Sequence, residues 1–164
     1  MIEYSLSASP LYGLYNETDD GGVYTVSIGP SGPTVVDLTQ GLILGTADIA
    51  FAAGRLYGTT GAVVDPVARQ LLGTFNVANV AVFGSSIMVD ALNGRAIFLE
   101  AGNPNSSATL HAFDLNTFQS IRSLPLAWIP GPGHSKGLIR WGADGLAFRS
   151  PNTVYLVRSN LVRR

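Results

Sequence analysis

The sequence predicts an all-β protein built from repeated four-stranded antiparallel meanders. Two observations about texture and one about repetition carry this. Nineteen glycines and nine prolines divide the 164-residue chain at short intervals. Between them lie runs of roughly four to eight residues rich in Val, Ile, Leu, Tyr, Phe and Thr, the pattern of strands joined by turns. No apolar period of about 3.6 residues is sustained. The best helical stretch, Val63 to Phe75, is interrupted by Pro66 and Gly73. Finally, one turn-and-strand pattern recurs along the chain, and repeats of this kind decide a fold.

The clearest copies are Ala53-Gly54-Arg55-Leu56-Tyr57 and Asn93-Gly94-Arg95-Ala96-Ile97-Phe98. Ser9-Pro10-Leu11-Tyr12 and Pro151-Asn152-Thr153-Val154-Tyr155 are looser copies. Each is a turn followed by apolar residues and an aromatic. Ile49-Ala50-Phe51, Ile87-Met88-Val89 and Leu146-Ala147-Phe148 precede three of these turns, so the unit reads as strand, tight turn, strand. Asn93-Gly94 predicts a type I′ turn, in which both central residues need positive φ.

A second element follows each of the first three hairpins. Val35-Val36-Asp37-Leu38, Val63-Val64-Asp65-Pro66 and Ala112-Phe113-Asp114-Leu115 each run from an apolar pair into an aspartate. A carboxylate there accepts hydrogen bonds from N–H groups two or three residues on and closes a turn. New strands are expected after these turns at Gly41 to Leu44, Leu71 to Phe75 and Ser120 to Leu124. Hairpin plus hairpin makes a four-stranded meander. The anchors Tyr12, Tyr57, Phe98 and Tyr155 are about 45, 41 and 57 residues apart. The chain is expected to be one domain with repeat units near 1–45, 46–78, 79–127 and 128–164, the last incomplete.

The hairpin, aspartate turn and strand resemble the blades of bacterial β-propellers of the YVTN and WD40-like type. The stretch Ile139-Arg140-Trp141-Gly142-Ala143-Asp144-Gly145-Leu146-Ala147-Phe148, followed by Val154-Tyr155-Leu156-Val157, is similar to a closing blade. The chain has no Trp-Asp dipeptide and no Tyr-Val-Thr-Asn tetrapeptide, so the resemblance concerns architecture. It implies about three and a half blades, whereas rings of this kind use roughly four to eight. Two ways of closing follow. The N-terminal strand, Glu3 to Ser7, pairs with Val154 to Ser159, or two copies associate. The sequence favours the second, because an open array exposes apolar sheet faces, and the only lysine is Lys136, which leaves few charged gatekeepers.

Composition narrows the function classes. Charged residues are 13% of the chain and the net charge is −1, which argues against a nucleic-acid partner. There is no cysteine, so disulfides, thiolate metal sites and a cysteine nucleophile are excluded. No segment carries the roughly 18 apolar residues of a membrane span, and no membrane role is expected. Met1 to Ser5 lacks the regions of a signal peptide. The chain is therefore expected to be cytoplasmic, or else a mature chain or excised piece of a secreted or periplasmic parent.

Candidate sites are few. Asn16-Glu17-Thr18-Asp19-Asp20-Gly21-Gly22 is acidic but does not have the alternating ligands of a calcium loop, and reads as a hairpin loop. Asp37, Asp65 and Asp114 read as structural caps, one per repeat, and His111 as a packed strand residue. With two histidines in the chain, no metal site and no cofactor are expected. His134 stands in the Pro130-to-Ser135 connector, without a nucleophile elbow. Trp128 and Trp141 flank that connector and suit stacking on a ligand. Asn103 and Asn105 stand in a second connector. These five residues, Trp128, His134, Trp141, Asn103 and Asn105, are the candidate binding residues. The expected function is a non-catalytic interaction module that assembles with itself and binds a protein, peptide or glycan through loops. The alternatives are a propeller-type hydrolase or lyase with an axial carboxylate site drawn from Asp48, Asp90 and Asp144, and a fragment of a larger propeller.

Overall fold

The first repeats fold as hairpins because their apolar residues alternate and their turns carry glycine. In a computed structural model, which describes residues 2–4, 9–15, 21–45, 47–77, 86–100, 107–127, 129, 136–150 and 152–163, the chain divides into two compact units, Met1–Thr74 and Phe75–Arg164. The first holds two antiparallel sheets. One has the order β1 (Ile2–Tyr4), β2 (Leu11–Tyr15), β3 (Gly22–Gly29), β4 (Gly32–Gln40); the other has β5 (Ile49–Ala52), β6 (Arg55–Gly58), β7 (Ala62–Asp65), β8 (Gln70–Thr74). The second unit holds β9 (Ser86–Asp90), β10 (Arg95–Glu100), β11 (Ala108–Asp114) and β12 (Ser120–Leu126) in one sheet, and β13 (Lys136–Trp141), β14 (Gly145–Arg149) and β15 (Val154–Arg158) in another. Every sheet is a meander of sequential strands. Among the described residues the only helical turn is the 3-10 turn Ala91–Asn93, and no helix is long and apolar enough to cross a membrane. The all-β class and the repeated antiparallel meanders are thus as the sequence predicts.

Two of the aspartate turns form as expected. Asp65 accepts from the N–H groups of Val67 and Ala68 at 2.9 and 2.8 Å. Asp114 accepts from those of Asn116 and Thr117 at 2.9 and 2.8 Å and from the Thr117 hydroxyl at 3.1 Å. These bonds favour the charged carboxylate and hold the Asp114 carboxyl below its ordinary value. In both turns the fourth residue after the aspartate takes positive φ, Arg69 at 57° and Phe118 at 60°. A bulge interrupts each ladder just before the aspartate, between Val63 and Val64 and between Ala112 and Phe113. The two turns are the same device, used once in each unit.

Other expectations are corrected. Asp37 caps no turn; it lies inside β4. The hairpin there reverses earlier, at Gly29 and Gly32, and the eight residues of β3 supply ladder partners as far as Gly22 with Gln40. The Asp37 carboxylate instead takes the Arg69 guanidinium at 3.0 Å and the Thr39 hydroxyl at 3.2 Å. Gly41 to Leu44 is not a strand but a bent connection. The type I′ geometry falls at Ala53 and Gly54, whose φ values are 49° and 78°. At Asn93-Gly94 the chain makes a 3-10 turn, and only Gly94 is left-handed. Four residues separate the paired Asp90 and Arg95, so a two-residue turn has too few residues to bridge the strands. The N-terminal strand pairs with β2, through Ile2 with Gly13 and Tyr4 with Leu11. In the last sheet, β13 precedes the hairpin of β14 and β15. The second-strand aromatic there is Phe148, and Tyr155 stacks on it at 5.3 Å.

Within the first unit, a core forms from Tyr12, Leu14, Val23, Ile49, Leu56 and Val64, drawn from both sheets, with Ile43 among them. Ile43 comes from the bent connection after β4 and is fully buried. Glycines make room for it. A Cβ on Gly58 would stand 2.9 Å from Ile43 Cγ2, and one on Gly21 only 1.8 Å from the Ile43 carbonyl oxygen. Tyr12 stacks on Phe51 across the sheets at 5.5 Å. Burying each such side chain stabilises by about 1.5–3 kcal/mol, so this small set decides how the two sheets pair.

Within the second unit, Met88, Ile97, Leu99, Leu110 and Leu126 of one sheet meet Leu138, Leu146, Phe148 and Val157 of the other. Leu161 and Val162, beyond the last strand, join this core. The far face of the first of these sheets is covered by an aromatic group, in which Phe75 touches Phe98, Phe113 and Phe118 at 5.3–5.4 Å between ring centres. First strands lie side by side in both units, β1 beside β5 and β9 beside β13.

Gly21 and Gly32 both hold positive φ, at 40° and 100°, but only Gly21 has an atom in the way of a Cβ. Gly21→Ala is therefore expected to cost at least about 1 kcal/mol more than Gly32→Ala. Urea unfolding of the two variants measures this. Equal midpoints would contradict the close approach to Ile43.

Candidate functional site

Of the five candidate binding residues, Trp128, His134, Asn103 and Asn105 lie outside the described residues. Trp141 is described. It ends β13 and pairs with Gly145, whose missing side chain makes space for it, since a Cβ would stand 2.7 Å from Trp141 Cε3. The indole is 41% exposed. The Arg158 guanidinium lies over it, 5.8 Å from the ring centre, in reach of a cation–π interaction. The two residues share a face because β13, β14 and β15 align Trp141, Gly145 and Arg158 in one row.

Three arginines and one carboxylate meet near this point. Arg122 and Leu124 of β12, Asp144 of the β13–β14 turn, Arg158 of β15, and Ser159, Asn160 and Arg163 beyond it line an open cavity of about 320 Å³. The segment after β15 is held in place twice over. Its apolar residues Leu161 and Val162 are buried. Its carbonyls are bound by two other arginines. Arg95 donates to Leu161 O at 2.9 Å, and Arg140 donates to Val162 O at 2.5 Å.

Arg140 is the most engaged polar side chain of the unit. It lies next to Leu138 along β13 and donates to Gly142 O at 3.2 Å, to Ala143 O at 2.9 Å and to the Asp90 carboxylate. Asp90 also accepts from the Asn93 amide at 2.7 Å. The side chains of Asp90 and Arg140 are 4% and 20% exposed. Only a planar fork with several donors serves so many acceptors at once, so lysine is no substitute. Of the three carboxylates considered for an axial site, Asp90 is thus bound up in a structural pair. Asp48 accepts from the adjacent Ile49 N–H at 2.8 Å. Asp144 lines the arginine cavity and shares no hydrogen bond with Asp90.

His111 bridges two strands as well as packing on its own. Nε2 lies 2.8 Å from the Glu100 carboxylate on β10, and Nδ1 lies 2.8 Å from the Ser123 hydroxyl on β12. A carboxylate only accepts, so Nε2 carries the proton shared with Glu100. The order matches a hydroxyl, a base and a carboxylate. The cavity at Arg122 and Leu124 lies on the opposite face of the sheet from Ser123. The row therefore acts as a tie across three strands. The bridging partners are not evident from the sequence because they come from three separate segments. The signal it offers is an arginine on the apolar side of a strand, at Arg122 beside Leu124 and at Arg140 beside Leu138.

In the first unit Glu3 is the perturbed carboxyl. Burial raises its carboxyl above the ordinary 4.5, the nearby charge of Asp48 raises it further, and a backbone hydrogen bond at Phe51 opposes both. A comparison with protein-family models and with curated proteins finds no match to this chain.

Two outcomes follow. Removing one partner of a buried pair leaves the other charge uncompensated. Arg140→Gln is expected to destabilise by about 3 kcal/mol, and Asp90→Asn in the same chain to restore part of that loss. A double-mutant cycle by denaturant unfolding measures it, and additive losses would contradict the pairing. For Glu3, the folded state binds the proton more tightly than the unfolded state. The stability this contributes is full below pH 4.5 and is lost as the pH rises through the folded pKa. Glu3→Gln is expected to gain stability relative to the parent chain as the pH rises across that window. A constant difference would contradict the raised pKa.

Proposed function

We propose that the chain is a non-catalytic repeat module of the β-propeller type, akin to YVTN and WD40-like proteins, that associates with a second copy of itself. The observation that carries this is the last sheet. Among the described residues it has three strands where the other three sheets have four. On its outward face, Ile139, Ala147 and Leu156 form one row. Ile139 is 57% exposed, Leu156 52% and the neighbouring Val154 69%. β15 is an edge strand, with a row of backbone groups suited to pairing with another chain. The first sheet also exposes apolar residues on β4, at Val35, Val36 and Leu38. Apolar faces of this kind mark interaction surfaces.

The propeller type is supported by the sequential meanders and by the side-by-side first strands within each unit, which suit the inner strands of adjacent blades. The connectors around Asn103 to Ser107 and Pro130 to Ser135, with Trp128, His134 and Trp141, would present a surface to a protein, peptide or glycan. The hydrolase reading draws less support, because Asp48 and Asp90 spend their oxygens on structural hydrogen bonds.

Sedimentation equilibrium at micromolar concentration tests association. The expected mass is twice that of the 17.2 kDa chain, and Leu156→Lys with Ile139→Lys is expected to return it to one. A parent chain that sediments at the mass of one copy overturns the proposal.

A further inference from the structure

The cavity beside β12 and β15 has a composition that a structural role does not use. Among the described residues, the guanidiniums of Arg122, Arg158 and Arg163 take part in no ion pair. Arg95 and Arg140 of the same unit, by contrast, spend their donors on backbone carbonyls and on Asp90. Arg122 is exposed at the rim of the apolar face of its strand. It shares a strand face with Leu124 and with Leu126, which is buried in the core. Three guanidiniums against the single carboxylate of Asp144 leave an excess of positive charge around about 320 Å³ of open space. That volume is at the lower end of small-molecule sites, roughly 300–1,000 Å³.

We infer that this cavity binds a carboxylate-bearing sugar, a uronic acid or a glycan end that carries one. An arginine fork matches a carboxylate with two parallel hydrogen bonds. The remaining lining suits hydroxyls. Asp144 accepts from them, and Asn160 and Ser159 accept and donate. Arg158 is steadied over Trp141. The tail that carries Ser159, Asn160 and Arg163 is fixed before any ligand arrives. Leu161 and Val162 are buried, Arg95 and Arg140 hold their carbonyls, and the Ser159 N–H donates to Asp144 O at 2.8 Å. A site ordered in advance loses less entropy on binding. The inference deepens the reading of the chain as a binding module and rests on it. It concerns strand residues and the tail of the second unit rather than the connectors, and it does not require the dimer.

Isothermal titration calorimetry with D-glucuronate, D-glucose and inorganic phosphate tests the site, with the mass of each sample measured alongside. Glucuronate is expected to bind, and glucose is not. Arg122→Gln and Arg158→Gln are each expected to weaken glucuronate about tenfold, the loss of one charge-assisted pair. Asp144→Asn removes the one negative charge of the lining and is expected to tighten phosphate more than glucuronate, which also loses an acceptor for its hydroxyls. Unaltered unfolding midpoints in these variants show that the fold is intact. Glucuronate affinity that survives both arginine substitutions overturns the assignment. So does phosphate binding as tight as glucuronate, which marks an unselective cluster of charge, and so does the absence of heat with glucuronate. A single-copy mass with intact glucuronate binding would sink the assembly alone; a dimer without glucuronate binding would sink the pocket alone.

Discussion

A meander is one layer thick and has two faces, and covering at least one of them is the constraint on which each unit depends. Both units meet it with two sheets and a short piece of chain placed between them. In the first, Ile43 enters from the connection after β4 and sits against Gly21 and Gly58. In the second, Leu161 and Val162 enter from beyond β15. These residues have no ladder to hold them, so they are fixed by other means. Glycines without side chains make the space in one case, and arginines that bind the carbonyls do so in the other.

The choice of arginine follows from the same constraint. Burying the end of a chain segment strands its carbonyl groups, which cost free energy unless bonded. Arg95 and Arg140 supply donors from strands already in the sheet, and Asp90 neutralises Arg140 where water is scarce. The pair contributes little stability by itself, because both charges lose hydration. Its value is positional, since it sets the tail against the sheet and thereby shapes the cavity beside it.

Much of this was legible in the sequence. Glycine and proline spacing marked the strands, and Asp65 and Asp114 marked turns whose bonding is local. Local chemistry failed where a longer element overrode it. Asp37 follows two valines as Asp65 does, but the length of β3 kept its segment in a strand. Asn93-Gly94 has the composition of a two-residue turn, but the separation of β9 and β10 required a 3-10 turn. The arginine cavity was invisible for a different reason. Its residues come from β12, a turn, β15 and the tail, and only the stacking of two sheets brings them together. Trp141, the one described residue among the binding residues that the sequence suggests, connects to that place through Arg158.

The proposed association places a second copy of the chain against the last sheet, where β15 is an edge strand among the described residues. Hydrogen exchange of the β15 amides, Val154–Arg158, measured at low and at high protein concentration, addresses this strand by strand. The account predicts that these amides become protected as concentration rises, while those of β10 and β11, enclosed in a four-stranded sheet, keep the same protection throughout. Protection at β15 that does not change with concentration would contradict it.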